Sequence, residues 1–115
     1  MTKTLEEIEK MREAGRIVSA CLRKIQQTLR PGISGEELDA IAETAIRSLG
    51  GRPSFKGYGG FPASICIAIN DEVAHGIPSS RRLKEGDIVG IDIGAIKEGY
   101  QADAAITFGV GDISP

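Results

Sequence analysis

Two apolar runs parted by Lys97-Glu98-Gly99, in the stretch DIVGIDIGAIKEGYQADAAITFG from Asp87 to Gly109, leave few folds open to this chain. Strand formers on either side of a short polar break that contains glycine read as a β-hairpin. Each run carries one interior carboxylate, Asp92 in IDIG and Asp103 in ADAA. With a two-residue turn at Lys97-Glu98, Ile96 faces Gly99, Ala95 faces Tyr100, and Asp92 faces Asp103. Directly opposed side chains of an antiparallel pair have Cβ atoms roughly 5 Å apart, and like charges there repel. Two bare carboxylates within Ile/Ala/Gly strands cannot both stay ionised cheaply. A divalent cation, which prefers hard oxygen ligands in groups, removes that penalty. A three-residue loop closing at Gly99 instead puts the two Asp on opposite faces, unless a bulge restores the phase.

The rest of the chain supplies what such a hairpin needs to fold. At 115 residues a single domain spanning residues 1–115 is expected, with a core of useful size. Thr4-x-x-Glu7 is a capping box that opens a periodic segment with Ile8, Met11, Gly15, Val18, Leu22, Ile25 and Leu29 on one stripe. That is a helix of about seven turns, ended by Pro31-Gly32. Ser34-x-x-Glu37 repeats the box before Leu38, Ile41, Ala45 and Leu49, and Gly50-Gly51 stops this second helix. The predicted architecture is α+β, with two amphipathic helices packed on a small antiparallel sheet.

Between the helices and the hairpin lie the segments that can carry chemistry. GRPSFKGYGGFP, residues 51–62, is a Gly- and aromatic-rich loop able to bring backbone and rings close to a neighbour. It has no GxGxxG spacing and no preceding strand, which disfavours phosphate binding. SICIAIN, residues 64–70, reads as a buried strand, and Glu72 to His75 as a further paired one. His75, the sole histidine, stands at a strand end before a Gly-Ile-Pro loop, a usual place for a functional group. Arg81, Arg82 and Lys84 read as a solvated loop. A net charge of −2 gives no nucleic-acid footprint, and no apolar run is long enough to span a membrane. Cys21 and Cys66, unspaced for a CxxC site, read as two small buried thiols in a reducing compartment, so a cytoplasmic location is expected. The acidic, helix-patterned N-terminus does not read as a signal peptide.

Taken together, EIEKMREAGRIVSACL, PGIS-x-x-x-LD, AINDEVAHGIP and LKEGDIVGIDIGAIKEGYQADAAITF resemble, in order and with intact spacing, the first half of a type I methionine aminopeptidase. The resemblance implies half of the pita-bread fold, in which two α+β halves related by a pseudo-twofold enclose a metal pair. It implies that Asp92 and Asp103 are metal ligands and that His75 contacts the substrate, an N-terminal Met peptide, or its reaction intermediate. It also implies that Tyr58, Phe61 and Cys66 border the pocket for the methionine side chain. Gln101-Ala102 depart from the His-Gly common in that family, and Ile106 from a common Arg. The family's remaining ligands, one His and two Glu, come from a second half. Here no histidine follows His75, and Asp112 is the sole acidic residue after Asp103. The chain therefore reads as an isolated half, designed, reconstructed or dissected, with catalysis absent or weak and its metal site empty or filled by Mn, Co or Fe. The alternative is a homodimer, or a complex with a complementary C-terminal half, that builds a divalent-metal site with weak aminopeptidase or hydrolase activity.

Overall fold

The computed structural model describes residues 4–70 and 76–111. Helices α1 (Leu5–Thr28) and α2 (Gly35–Ser48) precede strands β1 (Arg52–Pro53), β2 (Ile65–Ile69), β3 (Ile88–Lys97) and β4 (Tyr100–Gly109). A 3-10 turn, Tyr58–Gly60, lies between β1 and β2. Both capping boxes form, with Thr4 and Ser34 each accepting from the backbone N–H three residues on. Strand β3 is the axis of the sheet. It pairs antiparallel with β4 along one side, and with β2 and then β1 along the other. Among the described residues no helix is long and apolar enough to cross a membrane.

Both helices cover one face only. Alternation sends Ile65, Ile67 and Ile69 of β2 and Val89, Ile91, Ile93 and Ala95 of β3 into the core beneath them. Each fully buried Ile or Val contributes about 1.5–3 kcal/mol. The helix faces differ from the predicted stripes. On α1 the buried seam is Ala14, Ile17, Val18, Cys21 and Ile25, while Met11 is exposed. On α2 it is Leu38, Ala42 and Ile46, while Leu49 is exposed. Small residues at the helix crossing explain the rotation. Cys21 and Ala42 let the helices approach closely enough for the Cys21 thiol to donate to the Ala42 carbonyl at 3.5 Å. Burial pushes that thiol up to about 12. Cys66, expected to be buried as well, is only half-buried, because it lies on the other face of the sheet.

The hairpin turn lies one residue later than expected. Lys97 pairs with Tyr100, so the loop is Glu98-Gly99, with φ of +51° and +84°. Positive φ at both central positions is the type I′ turn, whose twist matches that of the flanking strands. The shift moves every cross-strand partner by two, and a shift of two preserves the face. Asp92 therefore lies opposite Ala105 and Asp103 opposite Gly94, with both carboxylates on the side away from the helices. They are diagonal neighbours rather than a directly opposed pair. The strand expected over Glu72 to His75 lies outside the described residues.

Glu98 occupies a left-handed conformation that a side chain with Cβ resists by about 1 kcal/mol, and its ion pair with Lys10, at 4.0 Å, is exposed and weak. Glu98→Asn, which creates an Asn-Gly type I′ turn, is expected to raise the urea-unfolding free energy by about 0.5–1 kcal/mol. An unchanged or lowered midpoint would contradict the turn assignment.

Candidate functional site

Three central cross-strand rows of the open face carry the candidate residues. Cys66, Asp92 and Ala105 form one, and Ala68, Gly90 and Thr107 the next. Gly94 and Asp103 form the third, on the other side of the first. The side chains are small, so the surface is hollow. A concavity of about 540 Å³ runs over the first two rows, floored by Ala68, Gly90, Ala105 and Thr107, with Cys66 and Asp92 at one end. Asp103 stands just beyond it. Both carboxylates are exposed, so water screens their repulsion, which is weaker than the direct, buried opposition expected from the sequence. The Cys66 thiol is pushed up by burial and by the neighbouring Asp92 charge. Gly76, at the start of the following loop, packs on Cys66, and its carbonyl accepts from Ile67 N at 2.8 Å. His75 itself lies outside the described residues.

The aromatic loop forms a wall over the third row. Ser54 N donates to the Gly94 carbonyl at 3.1 Å, and a Cβ at Gly94 would run into Ser54 Oγ and lie 3.3 Å from the Phe55 ring. The Ser54 hydroxyl is enclosed and has no hydrogen-bond partner among the described residues. Phe55 meets Phe61 edge to face, with centroids 6.5 Å apart. Of the predicted site residues, the structure thus brings Asp92, Asp103 and Cys66 onto one face and sets Phe61 behind Phe55 at its border. Tyr58 does not join them, being 83% exposed and outside the concavity.

Two carboxylates of α2, one turn apart, hold this wall from behind. Glu43 accepts from Lys56 Nζ at 2.6 Å, Ser64 Oγ at 3.0 Å and Arg47 Nε at 3.0 Å. Asp39 accepts from the backbone N–H of Ser64 at 2.7 Å and of Ile65 at 3.1 Å, fixing the start of β2. Residue-by-residue reading of the sequence did not single out Ser54, Phe55, Lys56 or Glu43. The one available signal was Gly94, a glycine inside a strand of branched residues, which marks close approach of another chain segment. A larger hollow, about 940 Å³, lies along α1 and is lined by Arg12, Arg16, Arg23 and Lys97. None of the open-face carboxylates borders it.

Paired carboxylates on one open face suit a hard divalent cation in donor type. They fall short in number: among the described residues no group of three or more His, Cys, Asp or Glu could hold a metal ion. The residues present fit part of a coordination shell.

The chain belongs to metallopeptidase family M24, whose model matches residues 9–115. Within that family it is similar to the methionine aminopeptidase of Clostridium acetobutylicum, with 56% identity over 94% of this chain and 44% of the relative. Methionine aminopeptidase 1 of Bacillus subtilis is 54% identical over 97% of this chain and 45% of its own length. Among solved structures, the methionine aminopeptidase of Rickettsia prowazekii superposes with a TM-score of 0.92 at 36% identity, covering 99% of this chain and 46% of that one. The chain spans about half the length of the curated relatives it matches. It corresponds to the N-terminal half of a methionine aminopeptidase-like M24 metallopeptidase, and its two-helix, antiparallel-sheet unit is half of the pita-bread fold.

Two tests follow from the wall. Gly94→Ala is expected to dislodge Ser54 and Phe55 from the sheet and abolish the Phe55–Phe61 ring contact, read from aromatic NMR shifts; unmoved rings would contradict the packing. The hydrogen bonds from Lys56, then Arg47 and Ser64, hold the Glu43 carboxyl down at about 2, against an ordinary 4.5. A depressed carboxylate stabilises the fold above its unfolded pKa, and that contribution is lost as pH falls from about 4.5 through about 2. Acid unfolding of Glu43→Gln is expected to be flatter than that of the parent across this window.

Proposed function

We propose that this chain supplies the two-carboxylate share of a divalent-metal site in an aminopeptidase acting on peptides with N-terminal methionine. Asp92 and Asp103 would hold the cation, here Mn, Co or Fe. When bound, it supplies a water of lowered pKa and polarises the scissile carbonyl. Cys66 and Phe61 give the substrate's first side chain an apolar border and exclude water from it. Tyr58, exposed outside the concavity, would meet substrate only once a peptide or partner covers it. His75 would donate a hydrogen bond to the substrate, by its place in the AINDEVAHGIP motif. The observation that carries the reading is the type I′ register, which puts Asp92 and Asp103 on one face beside Cys66.

Two oxygen-donor side chains hold a cation loosely, so turnover by a single chain is expected to be weak or absent. That shortage of donors favours a second reading, in which a second copy or a complementary C-terminal half completes the shell and restores weak hydrolysis. Calorimetric titration with Mn2+ tests the shared premise. The parent chain should take up the ion, and Asp92→Asn and Asp103→Asn should each weaken uptake by on the order of tenfold, about 1.4 kcal/mol. Heats no larger than dilution in the parent would end the proposal.

A further inference from the structure

The outer side of the helix layer carries two adjoining hollows that the metal reading does not use. One, about 480 Å³, lies between the helices over Ala20, Ile41, Ala45 and Leu49, with Lys24 on its α1 bank. The other, about 940 Å³, runs along α1 beside Arg12, Arg16 and Arg23 and reaches Lys97 at the end of β3. Ala20 and Leu49 border both, so the two form one groove. From Arg12 to Lys24 the groove follows α1 for about 18 Å, the length of roughly three turns of a second helix.

Charge sets this groove apart from the chain as a whole. The sequence has 14 basic and 16 acidic residues, yet among the described residues the groove holds five basic side chains and one acidic, Glu13. Glu9, outside it, pairs with Arg16 at 2.8 Å and with Arg12 at 3.9 Å. Exposed pairs of this kind contribute little and are readily exchanged. Arg23, Lys24 and Lys97 have no ion pair among the described residues. The α2 bank is uncharged, with Ile41 and Ala45 half-buried and Leu49 47% exposed.

We propose that this groove docks an acidic amphipathic helix of a partner protein. The partner's apolar side chains lie over Ile41, Ala45 and Leu49, and its carboxylates meet Arg16, Arg23, Lys24 and Lys97. Helix-in-groove recognition uses apolar anchors at i, i+3, i+4 and i+7, and opposite charge on the flanks fixes orientation and speeds encounter. Nucleic acid fits this surface less well. No aromatic residue lines either hollow to stack a base, and an apolar floor offers phosphates nothing. A lipid surface takes up an apolar face that protrudes into it, and this one is recessed. The proposal stands apart from the metal reading, since neither Asp92 nor Asp103 borders the groove.

Fluorescence anisotropy of the full chain with a labelled helical peptide of about 15 residues, leucines at i, i+3, i+4 and i+7 and glutamates on both flanks, tests the inference. Saturable binding is expected, weaker by on the order of tenfold or more when the peptide is scrambled or its glutamates become lysines. Arg23→Glu, Lys24→Glu and Leu49→Gln should each weaken it by on the order of tenfold, while Asp92→Asn leaves it unchanged. Thermal melts followed by circular dichroism check that these surface variants stay folded, and NMR amide shifts on binding should centre on Ala20, Ala45 and Leu49. No saturable binding, or equal binding of the scrambled peptide, overturns the docking site. Tighter binding of an RNA oligonucleotide or of phosphatidylserine vesicles, lost in Arg23→Glu, overturns a protein partner. A dimer of the chain alone that Leu49→Gln breaks assigns the groove to a second copy and overturns the proposal too. Absence of Mn2+ uptake ends the metal reading and leaves this one standing.

Discussion

One strand with two unlike faces governs the structure. Odd-numbered residues of β3, Val89, Ile91, Ile93 and Ala95, are buried under the helices, while even-numbered Gly90, Asp92 and Gly94 look the other way. Because β3 pairs with every other strand, its phase is imposed on the whole sheet. A slip of one residue would turn four core side chains to solvent and two glycines and an aspartate into the core. The apolar cost of that slip is what holds Asp92 outward. The carboxylates on the open face are therefore positioned by hydrophobic burial on the opposite one.

The open face has its own logic of size. Ala68, Gly90, Ala105 and Thr107 leave room above the strands, and Gly94 leaves room for Ser54 and Phe55. Larger residues at these positions would fill the concavity or lift the aromatic wall. Glu43 and Asp39 add a polar frame behind it, joining α2 to the loop and to the start of β2. At the far end of β2, Asn70 accepts from Ile88 N at 2.9 Å and donates to Asp87 at 3.1 Å. The Lys84 backbone N–H, then Asn70, hold the Asp87 carboxyl below the usual range. The start of β2 is thus tied by the Asp39 carboxylate and its end by the Asn70 carboxamide, which keeps Cys66 level with Asp92.

Local signals were readable and tertiary choices were not. Two capping boxes and a hairpin depend on residues a few positions apart, so α1, α2, β3 and β4 were visible in the sequence. Which side of each helix turns inward depends on what it meets, and small residues at the crossing outweighed the broader apolar stripe. Lys97-Glu98 was the more polar pair for a turn, but backbone twist rewards positive φ at both positions, and Gly99 supplies the second more cheaply than Lys97 could the first. The shared face of Asp92 and Asp103 survived that error because the displacement was even. The wall of Ser54 and Phe55 left only the trace of Gly94 in the sequence, since the contact joins segments forty residues apart.

The hairpin's two-residue loop also decides when the carboxylates meet. β3 and β4 are joined by the shortest closure in the chain, and hairpins of this kind zip on the microsecond scale, well ahead of the distant β1 and β2 contacts. A lone hairpin is marginal in water, and only helix docking makes it last. Carboxylate placement and global stability consequently draw on different parts of the chain: the phase of Asp92 and Asp103 is written into the hairpin's own local residues, while its persistence is borrowed from the two helices on the far side of the sheet.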